Sequence, residues 1–263
     1  MGQKLGQHFL KGAWAARALV RAAGISSSDT VLEVGPGKGA LTKELLATGA
    51  RVIALEKDAP LAKVLEEKFS AEIQAGTLTV VLGDVRDALP EHLGLENGQY
   101  IVAANIPYYI TGEILRQFLT AQAQPKRMAL LVQKEVAQRI VSKRESILSL
   151  SVKAYGVPKI AAKVPRGNFS PPPSVDSAII VINDVSRNFF DTISEKTFFA
   201  IVRAGFSSKR KLLSGNLATH GHAKDTVTSA FAACDIPEKA RAEDVPLEQW
   251  KCLIEKLAAP ESA

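Results

Sequence analysis

The stretch Val31–Leu46, VLEVGPGKGALTKELL, decides how the rest of the chain is read. Val31, Leu32 and Val34 around Glu33 suit a short strand covered on both faces. Gly35, Gly37 and Gly39 follow as a turn, and ALTKELL then carries helical spacing. Glycine admits positive φ and lets the backbone approach a ligand without a Cβ. The helix start beyond it offers free N–H groups. The spacing is GxGxG, not the GxGxxG of dinucleotide-binding turns. Taken alone, it fits a plain tight turn as well as a ligand cradle.

Outward from this unit, apolar runs recur at Val52–Leu55, Leu78–Leu82, Tyr100–Ala104 and Met128–Val132, with helical patterns between them. Strand–helix alternation without polar alternation predicts a parallel, doubly wound sheet. Lys159–Val164 and Ser177–Ile182 are further strand candidates, flanking the proline-rich loop PRGNFSPPPSVD. Four successive strand ends carry Gly35, Glu56, Asp84 and Asn105, on the carboxyl edge where open α/β sheets bind ligands. A carboxylate at Glu56 can accept from both hydroxyls of a ribose, and one at Asp84 from an exocyclic amine. Asn105-Ile106-Pro107-Tyr108 closes the fourth strand. Pro107 stops the ladder because it has no N–H to donate.

Composition bounds the rest. The chain has 263 residues, 46% hydrophobic and 23% charged, which fits a globular protein with a large core. No apolar run reaches the roughly 18 residues of a membrane span, and the first residues lack the apolar core of a secretory signal. The net charge is +6, and residues 121–170 hold ten Lys or Arg against Glu135 and Glu145. A second cluster is Lys209-Arg210-Lys211. Together they point to a polyanionic partner such as RNA. Cys234 and Cys252 show neither a disulfide framework nor zinc spacing and are expected as reduced thiols in the cytoplasm. His220 and His222 lack a third ligand, so no metal is expected. Beyond residue 184 the pattern turns helical, at Glu195–Phe206, Lys209–Ala218, Lys224–Ala233 and Leu247–Ala258. A domain boundary is therefore expected there, with an α/β domain over 1–184 and a small helical domain over 185–263.

The order ExGxGxG, acid, acid, NxPY resembles that of class I S-adenosylmethionine-dependent methyltransferases. More narrowly, the chain resembles the ribosomal RNA adenine dimethyltransferases over almost its whole length. GQHFL (6–10), LLVQKEVAQRI (130–140) and FSPPPSVDSAI (169–179) are similar to that family's motifs. FSSKRKLLSGNL (206–217) and RAE followed by PLEQW (241–250) resemble its small-subunit branch. The resemblance implies a Rossmann-like, seven-stranded, mostly parallel sheet plus a helical C-terminal domain. It implies S-adenosylmethionine contacts at Gln7, His8, Leu10, Gly35, Gly37, Glu56, Asp84, Val85 and Asn105. RNA contacts are expected at Arg139, Lys143, Arg144, Lys209, Arg210 and Lys211. The family's Asn is His8 here, its acid is Lys11, and its YGxLSV is replaced by Ser146–Val152 after a shortened basic loop.

The implied reaction dimethylates the exocyclic amines of two adjacent adenosines in the 3′-terminal stem-loop of small-subunit (16S) rRNA. The partner is that rRNA in the pre-30S particle; the enzyme is expected as a cytoplasmic monomer without membrane association. An adenine amine is a weak nucleophile because its lone pair is delocalised into the ring. Asn105 and the Ile106 carbonyl, fixed by Pro107, can accept its two N–H groups and aim the lone pair. Tyr108 is expected to stack on the adenine and Phe169 to close the other face, with Tyr109 in packing. Two alternatives stay open: a large-subunit (23S) rRNA methyltransferase of the macrolide-resistance type, and a non-catalytic ribosome-assembly factor.

Overall fold

The structure, a computed structural model, describes residues 8–258. By contact it divides into two compact units. One comprises the chain up to Gln138 together with Gly156–Ser186; the other comprises Arg139–Tyr155 and the chain from Arg187. Residues 139–155, read from sequence as part of the first domain, thus pack with the C-terminal helices.

The first unit holds strands β1 (Phe9–Leu10), β2 (Thr30–Val34), β3 (Arg51–Glu56), β4 (Leu78–Leu82), β5 (Tyr100–Asn105), β6 (Arg127–Gln133), β7 (Val157–Val164), β8 (Phe169–Ser170) and β9 (Ser177–Asn183). Seven of them form one sheet in the order β4-β3-β2-β5-β6-β9-β7. The first five are parallel, and β9 runs antiparallel to both β6 and β7. From β2 the chain winds outward through β3 to β4, then returns to place β5 on the other side of β2. The crevice between the carboxyl ends of β2 and β5 is therefore the switch point of the sheet, where open α/β folds bind ligands. Gly35 follows one of these strands and Asn105 ends the other.

Helix α1 (Trp14–Ala23) covers the sheet with a helical stripe of Ala15, Ala16, Leu19, Val20 and Ala23, all buried. Its opposite face carries Arg17, which pairs with Glu44 at 2.9 Å. Gly24 ends the helix in the left-handed region at φ 61°, donating its N–H to Arg21 and Val20 carbonyls. Helices α2 (Ala40–Leu46), α3 (Ala59–Lys68), α4 (Ser70–Gln74) and α5 (Thr111–Leu119) connect the parallel strands. Helix α6 (Lys134–Val141) follows β6.

In the second unit, α7 (Ile147–Lys153) begins at Ser146, whose side chain accepts from Ser149 N–H while Ser149 Oγ accepts from Ser146 N–H. Buried Glu145 holds this start through Ser149 Oγ and Lys153 Nζ, both at 2.6 Å. The altered Ser146–Val152 segment is thus a reciprocally capped helix. Helices α8 (Glu195–Gly205), α9 (Leu213–Thr219), α10 (Lys224–Ala233) and α11 (Leu247–Ala258) enclose a core centred on Phe198, Phe231 and Trp250, joined by Leu150 of α7. The helix expected from Lys209 begins only at Leu213, because residues 207–212 form a turn. Cys234 and Cys252 are joined as a disulfide, correcting the expectation of free thiols. Packing of α10 against α11 brings their Cα atoms to 5.8 Å, a proximity the 18-residue separation does not reveal.

Candidate active site

At the switch point the loop after β2 is pinned by Gly35 N–H donating to the Leu55 carbonyl at 3.0 Å. Gly35 and Gly37 have φ of 68° and 58°, the left-handed region that glycine enters without strain. A Cβ on Gly35 would meet nothing within 4 Å, so this backbone faces open space. A Cβ on Gly37 would lie 2.9 Å from the Phe9 ring, so that glycine is required by packing. The loop borders a cavity of about 940 Å³, its open mouth included.

Glu56 ends β3, is 5% exposed, and accepts Gly37 N–H at Oε2 and Asp58 N–H at Oε1, both at 2.9 Å. Each oxygen takes one donor from these amides, so lone pairs remain for hydroxyl groups. Asp84, after β4, accepts from Lys57 Nζ at 2.7 Å and from Arg86 Nη2 at 2.5 Å. The Arg86 guanidinium, followed by Lys57, outweighs burial and holds the Asp84 carboxyl well below the usual carboxylate range. It is an anionic acceptor at any physiological pH.

Asn105 lies across the cavity. Its Nδ2 donates to the His8 carbonyl at 2.9 Å. A carbonyl can only accept, so this bond fixes which end of the amide is which and leaves Oδ1 directed elsewhere. His8 is held in turn by a 2.8 Å bond from its Nδ1 side to the Pro171 carbonyl. The two-stranded ladder of β1 and β8, Phe9 opposite Ser170 and Leu10 opposite Phe169, carries both partners. The Ile106 carbonyl accepts no hydrogen bond from the described residues. Tyr108 bonds Ser177 Oγ at 2.7 Å, and its ring centroid lies 5.8 Å from that of His8. Burial raises the Tyr108 phenol above its ordinary pKa, so it is protonated at neutral pH and is no base.

Of the expected cofactor residues, His8, Gly35, Gly37, Glu56, Asp84, Val85 and Asn105 all border the cavity. So do Ile106, Pro107 and Tyr108. Leu10 instead packs against the core, and Gln7 lies outside the described residues. Two expectations are corrected. Phe169, expected to close the second face of a bound base, is fully buried in the core, where its pairing with Leu10 holds it. Tyr109, expected in packing, is 74% exposed at the cavity rim. Sequence reasoning also missed the Lys57 and Arg86 pairings of Asp84. Arg86, two residues on in GDVR, is a local signal for one of them, whereas Lys57 lies 27 residues away and reaches Asp84 only because β3 and β4 are neighbours.

Arg139, Lys143, Arg144, Lys209, Arg210 and Lys211 are all exposed in the second unit. Arg144 lies 3.7 and 3.8 Å from Glu243 and Asp244, whereas Lys209, Arg210 and Lys211 form no ion pair with the described residues. Part of the basic stretch is structural: Lys126 pairs with Asp29, Arg127 donates to the Ala23 carbonyl, and Lys153 pairs with Glu145.

The sequence pattern of ribosomal RNA adenine dimethylases matches residues 2–259. A protein of Dehalococcoides mccartyi named ribosomal RNA small subunit methyltransferase A is 41% identical over 252 residues, covering 95% of this chain and 86% of that relative. The protein of the same name from Moorella thermoacetica is 35% identical, covering 96% of this chain and 91% of its own length. Among solved structures, a dimethyladenosine transferase from Plasmodium falciparum superposes with a TM-score of 0.78 at 26% identity, over 94% of this chain and 96% of that one. The 23S rRNA methyltransferase ErmE gives 0.76 at 26% identity, over 95% and 100%. These neighbours share the Rossmann-like sheet, and the methyl donor for this fold and family is S-adenosylmethionine. The chain belongs to the ribosomal RNA adenine dimethylase family.

Proposed function

We propose that this chain dimethylates the exocyclic amines of two adjacent adenosines in the 3′-terminal stem-loop of small-subunit rRNA. It would act as a cytoplasmic monomer on the assembling small subunit. The small-subunit assignment is supported by the names of the relatives at 35–42% identity, against 26% for the 23S enzyme. The observation that carries the chemistry is the fixed amide of Asn105.

When bound, S-adenosylmethionine supplies an electrophilic methyl group on a positively charged sulfur. The residues fit its adenosine part: open backbone at Gly35, acceptor lone pairs on Glu56 for ribose hydroxyls, and an anionic acceptor at Asp84 for the adenine amine. His8, Gly37 and Val85 complete that wall. On the acceptor side, Asn105 Oδ1 and the Ile106 carbonyl take the two N–H groups of the target amine. Two acceptors make the nitrogen more tetrahedral, aim its lone pair, and favour the positive charge that develops on it. The alkylated amine is acidic enough to lose its proton to water, so no strong base is required. Tyr108 stacks on the target ring. Its tie to Ser177 fixes the ring plane, replacing part of the stacking lost when the base leaves its RNA helix. Arg139, Lys143, Arg144, Lys209, Arg210 and Lys211 hold the phosphate backbone.

The test is methyl transfer from tritiated donor to small-subunit particles of a strain lacking its own enzyme, followed by primer extension. Stops at two adjacent adenosines near the 3′ end of small-subunit rRNA are expected. Asn105→Ala should lower transfer on the order of a hundredfold or more, with the chain still folded despite the lost bond to the His8 carbonyl. Stops in large-subunit rRNA would establish the macrolide-resistance reading. No transfer by the wild type would leave a ribosome-binding role without catalysis.

A further inference from the structure

Tyr109 is the most exposed of the large apolar side chains described, at 74%, yet it borders the cavity beside Asn105 and Tyr108. Its backbone is held firmly. Tyr108–Ile110 form a single 3₁₀ turn after Pro107, Ile110 N–H donates to the Pro107 carbonyl at 3.1 Å, and Thr111 Oγ1 donates to the Tyr108 carbonyl at 3.1 Å. The Tyr109 hydroxyl makes no hydrogen bond with the described residues. An aromatic ring on a fixed backbone, unpartnered at the mouth of a base-sized site, is a stacking platform without its partner. Tyr108 is excluded from this role because Ser177 ties it inward.

We infer that Tyr109 stacks on the nucleobase adjoining the extruded adenosine and so selects how the RNA strand enters the site. This rests on the function proposed above. A strand that gives up one base to the pocket exposes the face of its neighbour at the break. An aromatic platform at the rim caps that face. Single-stranded RNA is commonly recognised in this way, by aromatic side chains that accept any base and orient the strand.

The experiment is a double-mutant cycle on a synthetic RNA hairpin carrying the target adenosine in its loop. The two nucleotides flanking the target are made abasic one at a time. With intact RNA, Tyr109→Ala should lower kcat/KM for the first methyl transfer about tenfold, or about 1.4 kcal/mol. Tyr109→Phe and Tyr109→Trp should stay within about threefold of wild type, as the range for base–aromatic stacking allows. Removing one of the two flanking bases should cost the wild type a similar factor and cost Tyr109→Ala nothing further. Cofactor affinity, measured by calorimetry without RNA, should be unchanged in all three variants. Multiplicative losses at both flanks, or full activity in Tyr109→Ala, would overturn the inference while leaving the methylation reading intact. A wild type that methylates neither this hairpin nor small-subunit particles would overturn both.

Discussion

Replacing Glu33 by Gln should stabilise the chain at alkaline pH and progressively less as pH falls. Glu33 sits on β2 just before the glycine loop, 1% exposed, with neither carboxylate oxygen in a hydrogen bond to the described residues. Burial pushes its pKa up to about 8 from an ordinary 4.5, and the Glu56 charge adds to the shift. Thr42, whose buried hydroxyl is not in bonding geometry, opposes it only in part. The raised folded value fixes the sign. Below pH 4.5 both native and unfolded chains hold the proton, and Glu33 contributes no pH dependence. Between 4.5 and 8 the unfolded chain has released it while the native chain keeps it, so rising pH favours unfolding. Above 8 the cost is complete.

At about 1.36 kcal/mol per pH unit of displacement, this window bounds the effect near 5 kcal/mol. For a chain of this size, 1 kcal/mol moves Tm by roughly 2–4 °C. Gln keeps a similar volume and stays neutral, but its amide also lacks a partner, a penalty that does not vary with pH. The readout is therefore the Tm difference between Glu33→Gln and wild type, followed by scanning calorimetry from pH 5 to 9. It should grow in the variant's favour by at least about 4 °C. A difference independent of pH, or one growing towards acid, refutes the assignment of Glu33 as a buried neutral acid.

Gly205 ends α8 against Trp250, whose ring a Cβ would strike, and such a Cβ would also lie 2.7 Å from Leu213. Gly205→Ala should therefore cost about 1–3 kcal/mol in urea denaturation, although Ala is favoured over Gly by about 1 kcal/mol in an open helix. Converting Lys209, Arg210 and Lys211 together to Gln should weaken RNA binding. It should also flatten the slope of log K against log salt by about 2, read from filter binding across salt concentrations. An unchanged slope would remove this turn from the RNA contact.

Much of the first unit is legible because its signals are local. Aliphatic runs such as Val52–Leu55 and Met128–Val132 give strands, and the acids and Asn105 at their ends give the site edge. What the sequence hides depends on pairing between distant segments or on which way one side chain turns. The His8 carbonyl reaches Asn105 only because β1 pairs with β8, a two-residue ladder without a periodic signal. In that ladder a shift by one residue turns each side chain to the other face. Phe169 reads equally as a pocket aromatic or a core one until its pairing with Leu10 is known. The tyrosine pair is ambiguous in the same way. Successive residues of a 3₁₀ turn point about 120° apart, so Tyr108 and Tyr109 cannot both face inward. Ser177, itself fully buried at the start of β9, decides the matter by binding the Tyr108 hydroxyl. With that direction taken, Tyr109 is turned to the rim, and the residue that reads from sequence as packing becomes an exposed aromatic face at the mouth of the site.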